Sequence, residues 1–134
     1  MITGGYKPYG TAARLVLDGH TYPLLATMRG PLVVRAWAPW CAACRIMAQR
    51  LTAFHAETRH GFVLADINID RNVPEAQALA IRYLPELVIY VDGIEKARFI
   101  GELSESELRD HIGQWLGSVG PTAQRRETEK LVTG

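Results

Sequence analysis

Cysteine is nearly absent from this chain of 134 residues, which contains only two. A small secreted domain held together by a disulfide framework carries more cysteines, spread along its length. Both cysteines here fall within one short segment, Cys41-Ala42-Ala43-Cys44. A cross-link between them would close a very short loop and would constrain the unfolded chain little. Chemistry is therefore a better reason for this pair than stability.

An excess of charge of one sign and a long hydrophobic run are also missing. The formal net charge is +1, which gives no reason to expect nucleic acid or an anionic membrane as a partner. The longest apolar runs fall far short of the roughly 20 residues that a membrane-spanning helix needs. Residues 1–10 lack a basic start followed by an apolar stretch, so no secretory signal is visible there. Together with the low cysteine count, this makes the cytoplasm the expected compartment.

The chain length predicts a single domain. Residues 1–12 are predicted to be a flexible lead-in, residues 13–118 the domain, and residues 119–134 a polar tail without an apolar stripe.

Strand and helix signals alternate through this domain. The predicted elements are a strand over Arg14–Asp18, a short helix over Tyr22–Met28, a strand over Leu32–Trp37, a helix over Cys41–Thr58, a strand over Phe62–Ile69, a helix from Asn72 to about Tyr83, strands over Leu87–Val91 and Ile94–Ile100, and a helix after Ser104. Strands connected through helices are usually parallel, whereas Asp92-Gly93 predicts an antiparallel hairpin. The sequence thus predicts an α/β fold with a mixed central sheet of about five strands and helices on both faces.

The position of the cysteine pair favours redox chemistry. Cys41 follows a buried strand and begins a long helix, whose first turn presents unpaired N–H groups and the positive end of the helix dipole. Both features stabilise a thiolate, which is the attacking species in thiol–disulfide exchange. Cys44 lies nearly one turn later, close enough to attack a mixed disulfide formed on Cys41.

Metal binding is the main alternative for the pair. A structural zinc site takes four ligands, usually from two such pairs, and this chain has one pair. Haem attachment requires histidine after the second cysteine, where this chain has Arg45. A pair without a chemical role is a further alternative. No ligand spacing is found among the four histidines, which are His20, His55, His60 and His111. We therefore expect no metal and no cofactor beyond a redox-active Cys41–Cys44 disulfide.

Five features occur in the order of a known family. Trp37-Ala38-Pro39-Trp40-Cys41-Ala42-Ala43-Cys44 matches the pattern W-A-x-W-C-G-P-C except at its two central residues. The other four are Asn68-Ile69-Asp70, the segment Ile81-Arg82-Tyr83-Leu84-Pro85, the Asp92-Gly93 hairpin and Gly101. On these matches residues 31–117 resemble a thioredoxin. The resemblance implies a thioredoxin fold and reversible dithiol–disulfide exchange with protein substrates.

The resemblance also implies roles for the residues around the pair. Cys41 is expected to be the nucleophile and Cys44 the resolving cysteine. Trp40 is expected to flank the nucleophile on the surface and to help bind substrate, whereas Trp37 is expected to pack beneath the site.

Three further positions are expected to bind substrate. Pro85 is expected to follow a cis peptide bond, which leaves the backbone of Leu84 able to pair with an extended substrate segment. Gly101 is expected to permit close approach of the substrate backbone.

The sequence departs from the thioredoxin pattern at two places, which would make the protein an atypical member of that family. Ala42-Ala43 replaces Gly-Pro, which removes a fixed φ from the first helical turn and is expected to shift the reduction potential. The family's buried aspartate falls at Arg35, and its partner lysine falls at Asp66. We therefore expect a reversed ion pair behind Cys44, in which Asp66 helps to move the proton of that thiol and Arg35 favours thiolates. The alternative is that both side chains point elsewhere.

Three functions remain open on these observations. The leading one is a general protein-disulfide reductase, itself reduced by an NADPH-dependent flavin disulfide reductase. The second is a specialised reductase or oxidase for one partner. The third is a thioredoxin-like interaction module whose cysteines are incidental. A monomer is expected, because substrates must reach the site.

Overall fold

A computed structural model describes residues 14–116 of the protein. The predicted lead-in over 1–12 and the predicted tail over 119–134 lie outside the described residues. The strands are β1 (Arg14–Val16), β2 (Pro31–Trp37), β3 (Val63–Asn68), β4 (Glu86–Val91) and β5 (Ile94–Ile100). The helices are α1 (Ala42–Glu57), α2 (Val73–Ala78) and α3 (Glu105–Gly113), with short 3-10 helices at Tyr22–Ala26 and Gln114–Leu116.

One five-stranded sheet has the strand order β1-β3-β2-β4-β5. β3 lies between β1 and β2 and is parallel to both. The connection from β2 to β3 passes through α1, as a parallel pair requires. β4 is antiparallel to both β2 and β5. The predicted α/β fold with a mixed sheet of five strands is confirmed. β2 lies at the centre, and six of its seven residues are buried, as expected for a strand that is covered on both faces.

Each face of the sheet is covered by its own hydrophobic cluster. On one face, α1 and α3 pack against the sheet through Met47, Leu51, Phe54, Leu108 and Ile112. On the other face, α2 and the first 3-10 helix contribute Ala76, Leu79 and Leu25 to a cluster with the opposite side chains of β2 and β3. The alternation of side chains along β2 therefore divides the core into two halves.

Two local motifs form as the sequence predicts. Asp92 and Gly93 both have positive φ, at 54° and 81°, as a tight two-residue hairpin requires. A side chain at position 93 would also collide with the backbone carbonyl of Ala26. At the start of α3, the hydroxyl of Ser104 accepts the N–H of Glu107 at 3.1 Å, and the Glu107 carboxylate accepts the N–H of Ser104 at 2.8 Å.

The prediction that α2 extends to about Tyr83 is wrong, because α2 ends at Ala78. The chain leaves the helix at Ala80, whose φ is 60°. The N–H of Ile81 then bonds to the carbonyl of Ala76 at 3.0 Å, which is the closing bond of a Schellman motif. Glycine normally occupies the left-handed position of this motif, so the alanine concealed the stop signal.

Candidate active site

Three strand ends converge at one edge of the sheet. Ala36 near the end of β2 pairs with Glu86 at the start of β4, which pairs on its other side with Ile100 at the end of β5. The cysteine pair follows β2, Pro85 precedes β4, and Gly101 follows β5. The sheet topology therefore brings the predicted nucleophile segment and two of the predicted substrate-binding positions to the same edge.

Cys41 and Cys44 form a disulfide with a Cα–Cα distance of 5.2 Å, which is usual for such a bond. Cys41 is the N-cap of α1, and its sulfur accepts the backbone N–H of Cys44 at 3.2 Å. Cys41 is 8% exposed, whereas Cys44 is 1% exposed. The sulfur of Cys41 therefore lies at the positive end of a helix of 16 residues, and Cys41 is the more exposed residue of the pair.

The two tryptophans near the pair differ in exposure. Trp40 is 68% exposed, and its indole N–H donates to the carboxylate of Asp70 at 3.1 Å. That bond holds a large apolar ring on the surface next to Cys41, where the resemblance places it. Trp37 is half-buried, and the guanidinium carbon of Arg35 lies 5.4 Å from the centre of its ring.

The segment before β4 contains two of the predicted substrate-binding positions, Leu84 and Pro85. The Leu84–Pro85 peptide bond is cis, as expected. Within residues 14–116, no hydrogen bond engages the backbone of Leu84, whose residue is half-buried. The carbonyl of Pro85 accepts the N–H of Gly101 at 2.8 Å. Gly101 has a φ of 101°, and a Cβ at that position would meet no atom within 4 Å, so the space above it is open.

The reversed ion pair that the sequence predicts is present. Arg35 and Asp66 are direct neighbours across β2 and β3, and Nε of Arg35 donates to Oδ1 of Asp66 at 2.7 Å. Both side chains are about nine-tenths buried. Nη1 of Arg35 also donates to the backbone carbonyl of Cys44 at 3.3 Å, which places the guanidinium directly behind the resolving cysteine. The alternative that the two side chains point elsewhere is excluded.

Sequence reasoning missed the third member of this cluster. Nη1 of Arg14 in β1 donates to Oδ2 of Asp66 at 2.8 Å, and Nη2 contacts the hydroxyl of Thr52 in α1. Both carboxylate oxygens of Asp66 are therefore held by arginines, and two cations face one anion. The only sequence signal for this contact was Arg14 itself, at the start of a short strand. An arginine at such a position usually indicates an exposed sheet edge, so it did not predict a contact with Asp66.

A second buried carboxylate was also missed. Glu86, the residue after Pro85, is 1% exposed and is paired with Arg98 of β5 at 2.9 Å. The available signal was an acidic residue at the start of an otherwise apolar strand, since a buried charge requires a partner.

The described part of the chain contains neither a candidate metal cluster nor a membrane-spanning helix. Within residues 14–116, no group of three or more His, Cys, Asp or Glu side chains is placed to hold a metal ion. No helix in the same range is long and apolar enough to cross a membrane.

The family model Thioredoxin matches residues 19–114. The chain belongs to the thioredoxin family. The thioredoxin of Buchnera aphidicola is 29% identical over 99 residues, which are 74% of this chain and 91% of that protein. The thioredoxin of Pseudomonas aeruginosa is 32% identical over 79 residues, which are 59% of this chain and 73% of that protein.

A solved thioredoxin structure supports the same fold. A mutant thioredoxin from Halobacterium salinarum superimposes with a TM-score of 0.71 at 24% identity, covering 84% of this chain and 96% of that one. The predicted thioredoxin fold is thereby confirmed. Family membership, together with the Cys41–Cys44 disulfide, supports thiol–disulfide oxidoreductase chemistry for this thioredoxin-family chain.

Proposed function

We propose that this protein reduces disulfides in other proteins. The thiolate of Cys41 attacks one sulfur of the substrate disulfide, and the other substrate sulfur leaves as a thiolate that takes up a proton. Cys44 then loses its proton and attacks the sulfur of Cys41. The Cys41–Cys44 disulfide forms, the second substrate thiolate is released, and two electrons have passed to the substrate.

The observation that carries this proposal is the asymmetry of the pair. Cys41 caps a helix and is the more exposed residue of the pair, at 8% against 1% for Cys44. A substrate sulfur reaches Cys41 first, and the mixed disulfide then lies within reach of Cys44. The exposed ring of Trp40, and the backbone of Leu84, which has no hydrogen-bond partner among the described residues, supply a surface that an extended segment of substrate would contact.

Insulin reduction by the purified protein tests the proposal. With dithiothreitol as the electron source, the wild type should accelerate precipitation of the insulin B chain over dithiothreitol alone, and Cys41→Ser should not. Cys44→Ser that has been reduced beforehand and separated from dithiothreitol should accumulate a covalent mixed disulfide with insulin, visible by mass spectrometry. Equal rates with wild type and Cys41→Ser would leave the interaction module, in which the cysteines are incidental, as the better account.

The electron source in the cell belongs to the same proposal. A dithiol that reduces disulfides must itself be reduced, and we propose an NADPH-dependent flavin disulfide reductase for that step. Turnover with NADPH and such a reductase in place of dithiothreitol tests it. The expected cytoplasmic location and monomeric state stay predictions.

We further propose that Asp66 and Arg35 act on the resolving step. Arg35 contacts the Cys44 carbonyl, and Asp66 is the carboxylate bound to Arg35. Each carboxylate oxygen keeps a second lone pair, so Asp66 retains acceptor capacity, and in our proposal it takes up the proton of Cys44. The test is Asp66→Asn, followed by the reduction rate of a model disulfide. A rate equal to wild type across about pH 6–9 would refute the relay.

The charge balance of this cluster favours a second candidate function, oxidation of a particular partner. Arg14 and Arg35 outnumber Asp66, and positive charge behind Cys44 stabilises the thiolate and therefore the reduced pair. Stabilising the reduced form raises the reduction potential. Equilibration with glutathione measures it: a value well above the cytosolic poise of about −220 to −260 mV favours an oxidase, and a lower value favours the reductase.

A further inference from the structure

An ion pair between a buried carboxylate and a partly exposed arginine lies beneath the loop that leads to Leu84 and Pro85. Glu86 is the first residue of β4, and its carboxylate is 1% exposed. Nη1 of Arg98 on β5 donates to Oε2 of Glu86 at 2.9 Å. Burying a carboxylate costs free energy, and an ion-pair partner offsets this cost only in part. The position of this ion pair therefore suggests a role other than stabilising the fold.

Both members of the pair also bind the backbone of the loop over residues 79–85. The guanidinium of Arg98 donates to the carbonyl of Leu79 at 2.8 Å and to that of Ala80 at 3.2 Å. Oε1 of Glu86 accepts the backbone N–H of Arg82 at 3.2 Å. Two side chains of the sheet therefore hold the loop at three backbone groups within four residues.

The loop conformation at these points is one that the chain does not favour by itself. Ala80 has a φ of 60°, in the left-handed region that is unfavourable for an L-residue other than glycine. Arg98 holds the carbonyl of this residue and that of its neighbour. These two hydrogen bonds from β5 therefore stabilise the strained turn.

The tip of the loop is the part that faces outward. Tyr83 is 61% exposed, and the backbone of Leu84 has no hydrogen-bond partner within residues 14–116. A backbone segment that pairs with an extended substrate binds that substrate more tightly when it already has the pairing conformation before binding. Pre-organisation of this edge is thus a consequence of the pair beneath it.

We propose that Glu86 and Arg98 are positioning residues that hold the substrate-binding loop ready for an extended protein segment. This inference rests on the proposed function, since it concerns how the same site binds its substrate. Neither residue touches the sulfurs, so the pair acts on substrate affinity and leaves the reactivity of Cys41 unchanged.

The test separates binding from chemistry. Arg98→Lys keeps the charge but loses the planar fork that reaches two carbonyls and the carboxylate. Glu86→Gln removes the charge but keeps an acceptor for the Arg82 N–H. In both variants KM for insulin should rise about tenfold, while kcat and the rate with bis(hydroxyethyl) disulfide, which has no backbone to pair, should stay unchanged.

The matched control is Glu95→Gln. Glu95 also binds Arg98, at 3.0 Å through two nitrogens, but it is exposed on β5 and makes no hydrogen bond to the loop. Its KM should stay within about twofold of wild type. An unchanged KM in both Arg98→Lys and Glu86→Gln would overturn the inference. So would a parallel loss of rate with the small disulfide, which indicates general loosening of the site.

Hydrogen exchange in the wild type decides the matter if both variants fail to fold. The Arg82 amide is donated to a buried carboxylate, so it should exchange far more slowly than an unprotected loop amide, although the residue is exposed. Unprotected exchange would overturn the inference. If the wild type itself fails to reduce insulin, the proposed function is wrong, whereas active wild type with unaffected variants contradicts only the role of this pair.

Discussion

Removing the charge of Asp66 should destabilise the protein more than removing either of its arginines. Asp66 is the shared anion of the cluster, with Arg35 on Oδ1 at 2.7 Å and Arg14 on Oδ2 at 2.8 Å. Asp66→Asn leaves two cations without a counter-charge and points an amide N–H₂ at one of them. Arg35→Leu leaves the anion still paired with Arg14. Arg14→Leu leaves it paired with Arg35.

Burial sets the size of each effect. Removing one partner of a buried pair costs about 3–5 kcal/mol, which we assign to Asp66→Asn. Arg35→Leu should cost about 2–3 kcal/mol, because one charged hydrogen bond and the bond to the Cys44 carbonyl are lost while Asp66 keeps a partner. Arg14 has a side chain that is 27% exposed, so Arg14→Leu should cost about 1 kcal/mol or less.

Urea unfolding of the oxidised proteins measures this order. With an m value of about 2 kcal/mol/M, a loss of about 3 kcal/mol lowers the midpoint by about 1.5 M. The matched control is Arg109→Ala, which breaks an ion pair to Glu57 whose two side chains are both more than half exposed. It should change stability by less than about 0.5 kcal/mol. The reasoning is refuted if Asp66→Asn costs no more than this control, or if Arg14→Leu costs as much as Asp66→Asn.

Two further predictions concern stability. Gly93→Ala should lower the free energy of unfolding by more than Gly30→Ala, because both positions have positive φ but only at 93 would the new Cβ collide with the Ala26 carbonyl; equal losses in urea unfolding would contradict this. Burial lowers the pKa of His55 below its ordinary value of 6.5, and the nearby His60 lowers it further. The unfolded state therefore binds more protons below that value, so stability should be lost as the pH falls from about 7 to 5. His55→Leu should flatten that part of the pH profile, and an unchanged slope would argue against it.

Much of the candidate site could be predicted because its signals are local. The helix that begins at Cys41 follows from the strand before it and the apolar period after it. The Ser104 capping box and the Asp92-Gly93 turn each involve residues within three positions of one another. Contacts between residues close in sequence depend on backbone propensity and side-chain chemistry, both of which can be read from the sequence.

The longer contacts were only partly predictable. The pairing of Arg35 with Asp66 was expected because the family resemblance places both positions behind Cys44. The addition of Arg14 was not, since it depends on the register of β1 against β3, where a shift of one residue would turn its side chain to the other face. The end of α2 was misplaced because alanine and not glycine occupies the left-handed position after the helix, and Arg98, far along the chain, binds the carbonyls at this turn.

By itself, therefore, the sequence determined the cysteine pair, the helix on which it lies, the order of strands and helices, and the family. Tertiary structure alone decided that Arg14 joins Arg35 on Asp66 behind Cys44, and that Glu86 pairs with Arg98 beneath the substrate loop. The physical reason is that a buried charge is tolerated only next to a partner, and the partner is selected by strand register and packing between residues far apart in the chain.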